Sequence, residues 1–139
     1  MKILIDTNVV LDVLLSRDPH AGSAAAVLGA IDAGLVEGLV GATTVTTLHY
    51  LLSKSLGPTK ARQALETLLS LCDVAPVDES VIRGALSLRF RDFEDAVLHE
   101  SGRRAGARGV VTRDRDGFRK SQLPVYTPEE LIATLRAAR

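Results

Sequence analysis

Asp6, Asp95 and Asp114 are the side chains of this sequence best placed to do chemistry, because each stands where an apolar segment begins or ends. The run Ile3-Leu4-Ile5 stops abruptly at Asp6-Thr7-Asn8. Gly109-Val110-Val111 runs into Thr112-Arg113-Asp114-Arg115-Asp116, and Asp92-Phe93-Glu94-Asp95-Ala96 opens an apolar-periodic helix. In parallel α/β sheets, ligands and metals gather beyond the carboxyl ends of strands, so acids at such ends invite one shared pocket. Carboxylates gathered there repel and raise one another's pKa unless a cation neutralises them. Oxygen-only donors select Mg2+ or Mn2+. An ion of this kind activates water and stabilises charge on an attacked phosphodiester, so hydrolysis of a nucleic-acid backbone is the reaction implied.

Each acid also has a structural role open to it. Asp6 suits the N-cap of the following helix. Asp92 and Asp95, three apart, share a helix face, and Asp92 can cap that helix with Asp95 completing a box-like arrangement. Asp95 is favoured for chemistry and Asp92 for capping or support, with Glu94 expected to point elsewhere into solvent. Thr112 can hydrogen-bond a water of the ion, while Asp114 and Asp116 compete for direct ligation. His20, His49 and His99 have no paired ligand spacing and read as structural or surface residues. No serine nucleophile elbow, phosphate-cradling glycine loop or zinc-protease pair is present.

The elements that must position these residues alternate between strand and helix. Lys2 to Ile5 reads as a strand, then a helix carries Val9, Val10, Leu11, Val13, Leu14 and Leu15. A second helix runs from His20 to about Ala33, stopped by Gly34. Leu39 to Ala42 reads as a strand, Thr43 or Thr44 as the cap of a helix ending at Gly57-Pro58, and Thr59 as the cap of the next. Val74 to Val77 is a short strand whose proline favours an edge. Asp78 caps a helix to about Leu88. Val110-Val111 and Pro124-Val125-Tyr126 are the last strands, and Thr127-Pro128-Glu129-Glu130 starts a final helix. The order predicts an α/β fold: a single domain over residues 1–139, with a small parallel sheet of four to five strands sandwiched by helices.

At 139 residues and 46% hydrophobic content, one domain can bury about two thirds of its unfolded surface. The 17 basic and 17 acidic residues cancel, which excludes binding of nucleic acid by bulk positive charge. Any RNA contact must be local, and Arg103, Arg104, Arg113, Arg115 and Arg119 crowd the segment around Asp114. A solvated, salt-bridged surface explains the same cluster equally well. The single Cys72 precludes an intramolecular disulfide and reads as a buried, inert thiol. No stretch approaches the ~20 apolar residues of a membrane span and no secretory signal opens the chain, so a cytoplasmic protein is expected. The aromatic residues Tyr50, Phe90, Phe93, Phe118 and Tyr126 sit in or beside apolar runs and are expected in the core, not as platforms for bases.

In these three fragments, Ile3-Leu4-Ile5-Asp6-Thr7-Asn8, Asp92-Phe93-Glu94-Asp95-Ala96 and Val110 to Phe118, the chain resembles the PIN domain, and more narrowly the VapC-like toxin ribonucleases of toxin–antitoxin pairs. The resemblance spans nearly the whole chain. It implies a Mg2+- or Mn2+-dependent endoribonuclease, an antitoxin partner that covers the acidic site, and a homodimer. Carried over by position, Asp6, Asp95 and Asp114 match the family's first, third and fourth acids, with Thr112 and Asp116 as companions and Thr7 and Asn8 beside the first. The family's second acid is missing, and Thr47 occupies the matching stretch Thr43 to Tyr50. Glu66 and Glu37 are the other candidates for that role. Loss of one ligand weakens cation affinity, so a non-catalytic RNA-binding or interaction module on the same fold is the competing reading. A receiver-like signalling domain fits poorly, since Asp6 stands alone after its strand.

Overall fold

The computed structural model describes residues 1–138. In chain order the elements are β1 (Lys2–Ile5), α1 (Thr7–Leu14), α2 (Ala21–Asp32), β2 (Glu37–Gly41), α3 (Ala42–Leu56), α4 (Pro58–Leu71), β3 (Cys72–Ala75), α5 (Glu79–Ser87), α6 (Phe93–Arg104), β4 (Gly109–Val111), β5 (Val125–Tyr126) and α7 (Pro128–Ala137). A 3-10 turn over Arg115–Phe118 joins β4 to β5. All strand pairs are parallel, in the order β3-β2-β1-β4-β5. The expected α/β parallel sheet is present, with five strands.

Strand side chains alternate between faces, so Ile3 and Ile5 enter one core layer and Leu4 the other. On the first face Ile3, Ile5, Val40 and Val111 pack with Val9 and Val10 of α1, Val27 of α2, Leu48 and Leu52 of α3, Leu68 of α4 and Leu131 of α7. On the second, Leu4, Leu39 and Val110 pack with Leu98 of α6 and with Phe118. Burial on both sides is why these strands read as continuous apolar runs. Each fully buried Ile, Leu or Val contributes about 1.5–3 kcal/mol relative to exposure.

Two helix starts differ from the sequence expectation. Helix α3 begins at Ala42 directly from β2, with Gly41 in the cap position and no side-chain cap bond. Its Thr44 is buried and its hydroxyl meets that of Thr7 at 2.9 Å. Helix α4 begins at Pro58, whose fixed φ and missing N–H suit the first helical position. The caps at Asp78 and Thr127 are as expected: Asp78 accepts from Val81 N–H at 2.9 Å, and Thr127 forms a capping box with Glu130.

Two features bring α6 to the site. Its Gly102 lies so close to β1 that a Cβ there would stand 2.7 Å from Leu4 Cδ2, so any larger residue would force the Leu4 side chain to shift. The chain also builds outward from β1 through β2 to β3, then returns to the opposite side of β1 for β4 and β5. The strand order therefore reverses beside β1, and a crevice opens at the carboxyl ends there.

Candidate functional site

A cavity of about 420 Å³ occupies this crevice, lined by Asp6, Thr7, Asn8, Arg17, Thr43, Thr44, Thr47, Asp92, Glu94, Asp95, Arg113 and Asp114. Asp6 and Thr112 enter as neighbours because Ile5 and Val111 are in register across β1 and β4, and Asp6 N–H donates to Val111 O at 3.0 Å. The Thr112 hydroxyl, fully buried, donates to Asp6 Oδ2 at 2.7 Å and accepts from Asp114 N–H at 2.9 Å. One hydroxyl thus ties two of the acids together. The other Asp6 oxygen accepts from Thr7 N–H at 2.8 Å.

Asp92 caps α6 by accepting from Glu94 N–H at 2.8 Å and Asp95 N–H at 3.4 Å, which leaves Asp95 on the first turn facing the cavity. Asp114 caps the 3-10 turn through Gly117 N–H at 3.2 Å. Gly117 keeps the space between the two acids open: a Cβ there would lie 2.9 Å from Asp114 Oδ2 and 3.2 Å from Asp95 Oδ2.

The electrostatics record this crowding. Burial first, then the neighbouring charges of Asp6, Asp92, Asp114 and Glu94, push the Asp95 carboxyl from 3.8 up to about 7. Asp6 is also raised, chiefly by burial, with Asp114 and Asp92 adding to it against the lowering hydrogen bonds from Thr112 and Thr7. Among the described residues Asp6, Asp95 and Asp114 form no ion pair. Negative charge paired directly to no cationic side chain, carried on oxygen donors alone, suits a hard divalent cation. No three acid, histidine or cysteine side chains among the described residues are already closed on a single point as a ligand set.

The remaining sequence candidates divide. Thr47 is half-buried and lines the cavity together with Thr43 and Thr44. Asp116 lies outside it, exposed, and pairs with Arg91 at 2.9 Å and Arg119 at 3.5 Å. Glu37 starts β2 at the opposite end of the sheet and Glu66 is exposed on α4, so neither reaches the cavity. Of the arginines, Arg103 and Arg104 bond Glu100, Arg115 bonds Glu130, and Arg119 bonds Asp116, all away from the cavity. Only Arg113 of that group lines it. His99 is buried behind the site, where its Nε2 accepts from Gln122 N–H at 3.1 Å and its ring tilts against Phe90. Cys72 is buried, and burial raises its thiol to about 11.

Two further expectations need correction. Glu94, expected elsewhere on α6, lines the cavity rim while remaining exposed. Tyr50 and Phe93 are 61% and 47% exposed and do not belong to the core, since each lies on the outward side of its helix. Asp12 and Arg17 were passed over altogether. Asp12 is fully buried on α1 and pairs with both Arg17, at 2.9 Å, and Arg113. The available signal was an acid inside the apolar run Val9 to Leu15, since a buried carboxylate requires partners.

A family model described as PIN domain matches residues 2–116. Ribonuclease VapC1 of Aquifex aeolicus is 22% identical over 134 residues, covering 93% of this chain and 92% of that protein. The crystal structure of VapBC2 from Rickettsia felis bound to a DNA fragment from their promoter superposes with a TM-score of 0.73 at 17% identity, covering 91% of this chain and 98% of that one. A toxin-antitoxin complex from Klebsiella pneumoniae gives a TM-score of 0.68 at 20% identity, covering 91% and 97%.

Proposed function

The chain belongs to the PIN domain family, and we propose that it is a divalent-metal-dependent endoribonuclease, the toxin of a toxin–antitoxin pair. The observation that carries this reading is the meeting of Asp6, Asp95 and Asp114 in one cavity at the point where the strand order reverses. The likeness to ribonuclease VapC1 supports RNA as the substrate.

Asp6, Asp95 and Asp114 would hold Mg2+ or Mn2+, with Thr112 and Thr47 hydrogen-bonding around them. Such an ion supplies Lewis acidity for attack of water on a phosphodiester. The chain's own contribution is positional. Thr112 fixes the Asp6 carboxylate and, through the Asp114 N–H, the segment that presents Asp114. Asp92, by capping α6, sets the height of Asp95 over the cavity. Without an ion, Asp95 holds a proton at its carboxyl oxygen up to about pH 7. Asp116 is left with an outer role through Arg91 and Arg119.

The test is cleavage of RNA with Mn2+ or Mg2+ added. Wild-type protein should cut, and Asp6→Asn or Asp95→Asn should lower the rate by at least 10²-fold while melting as a folded protein. Wild-type rates in both variants would remove the assignment. Thr47 in place of an acid favours one competing reading, a non-catalytic PIN-fold module, which would bind RNA without cutting it in either ion.

The whole of residues 1–139 is read as a single domain. The similarity to the Klebsiella pneumoniae complex supports an antitoxin partner, and no helix among the described residues is long and apolar enough to cross a membrane. A cytoplasmic homodimer completes the proposal. Light scattering on the purified chain should give twice the subunit mass, and a value equal to one subunit overturns the dimer.

A further inference from the structure

The cavity separates its charges. Five acids line it, and the only cationic side chains among its lining residues are Arg17 and Arg113. Both are held by one carboxylate. Asp12, fully buried, accepts from Arg17 Nε through Oδ1 at 2.9 Å, from Arg113 Nε through Oδ2, and from Arg113 Nη2 through Oδ1 at 3.3 Å. Arg17 Nη2 also donates to Asn8 O at 3.4 Å, and Arg113 N–H donates to Asn8 Oδ1 at 3.4 Å.

One guanidinium would neutralise Asp12, so a second leaves surplus positive charge at the cavity wall. Among the described residues Nη1 of both arginines makes no hydrogen bond, which leaves donors on each fork for an external acceptor. The side chains of Arg17 and Arg113 are 39% and 32% exposed, anchored yet accessible. A guanidinium fork matches phosphate geometry, and anchoring it beforehand removes the ordering cost at the moment of binding. A chain of zero net charge with an acidic cavity attracts a polyanion only through such local cations.

We propose that Arg17 and Arg113, held on the cavity wall by Asp12, form a clamp for a phosphate of the RNA strand beside the acidic cluster, with Asp12 as its positioning residue. The inference rests on RNA being the ligand of this site. It gives Arg17 and Asp12 a part in RNA binding and separates Arg113 from the outer arginines, whose forks are engaged away from the cavity.

The test uses metal-free protein in chelator and a fluorescent single-stranded RNA oligonucleotide, with affinity read by anisotropy from about 50 to 200 mM salt. Arg17→Ala and Arg113→Ala should each make the log–log salt dependence shallower by about 0.7, the share of one phosphate contact on a single strand. Each single variant leaves the other guanidinium on Asp12, so the buried charge stays paired. Arg17→Lys should return the slope. Arg83→Ala, on α5 and paired only with Glu79, should leave it unchanged.

Asp12→Asn gives a test of sign. It removes a negative charge, so simple electrostatics predicts tighter RNA binding, whereas loss of positioning predicts weaker binding. If a thermal melt shows that Asp12→Asn does not fold, the arginine slopes decide alone. Unchanged slopes in both alanine variants, or tighter binding by folded Asp12→Asn, overturn the clamp. Such a result beside wild-type cleavage in Mn2+ leaves the ribonuclease reading standing. The expected slopes without cleavage would support the clamp and remove the ribonuclease, and a wild type that binds no RNA in chelator overturns the clamp, removing the ribonuclease as well only when it also fails to cleave in Mn2+.

Discussion

Asp95 carries the clearest physical signature of the cavity. Its folded value of about 7 lies above the ordinary 3.8 because burial and four neighbouring acids disfavour its charge. Between about pH 4 and 7 the native protein therefore keeps a proton that the unfolded chain releases, and stability falls as pH rises through that window. Thermal melts in chelator should show wild type losing ground to Asp95→Asn across it, since the amide cannot ionise. A constant gap between the two would mean that Asp95 titrates normally. The three principal acids were legible in the sequence because each closes an apolar strand or opens an apolar helix. Asp12 was not, because the helix around it is apolar on nearly every side and its partners come from Arg17, five residues on, and Arg113, a hundred residues away. Asp116 read as a ligand since it stands two residues from Asp114, but the 3-10 turn carries it outward to Arg91.

At the level of elements, most strand ends were legible, but those of β3 and some of the helix starts were not: β3 spans Cys72–Ala75 and stops before Pro76, two residues earlier than the apolar pattern Val74 to Val77 suggests. Apolar runs buried on both faces announce parallel strands, and Asp78, Asp92 and Thr127 announce caps. Helix α3 escaped this logic because it follows β2 without a loop, leaving its threonines free to face the cavity. That register has a consequence. Thr43, Thr44 and Thr47 occupy one side of the first turns of α3, so a carboxylate at position 47 would join Asp6, Asp95 and Asp114 around the same space. Thr47→Glu should tighten Mn2+ binding about tenfold or more in a calorimetric titration. Unchanged or weaker binding would mean that this helix face does not supply a ligand position.

The whole molecule combines zero net charge with a locally polarised crevice, acids on α6 and the strand ends against Arg17, which follows α1, and Arg113, which follows β4, both held by Asp12. The parallel α/β class was legible from the alternation of strands and helices, whereas the strand order was not. The convergence of Asp6, Asp95 and Asp114 could only be expected, since it depends on the reversal of strand order beside β1 and on Gly102 letting α6 close onto that strand. Among the described residues Asp6, Asp95 and Asp114 pair with no cationic side chain, and the fold makes most sense with a divalent cation among them. A calorimetric titration of wild-type protein with Mn2+, beside Asp6→Asn and Asp95→Asn, tests this most directly. Binding by wild type that disappears in both variants is the predicted result, and no binding by wild type, or equal binding in all three, would contradict the metal site and the ribonuclease built on it.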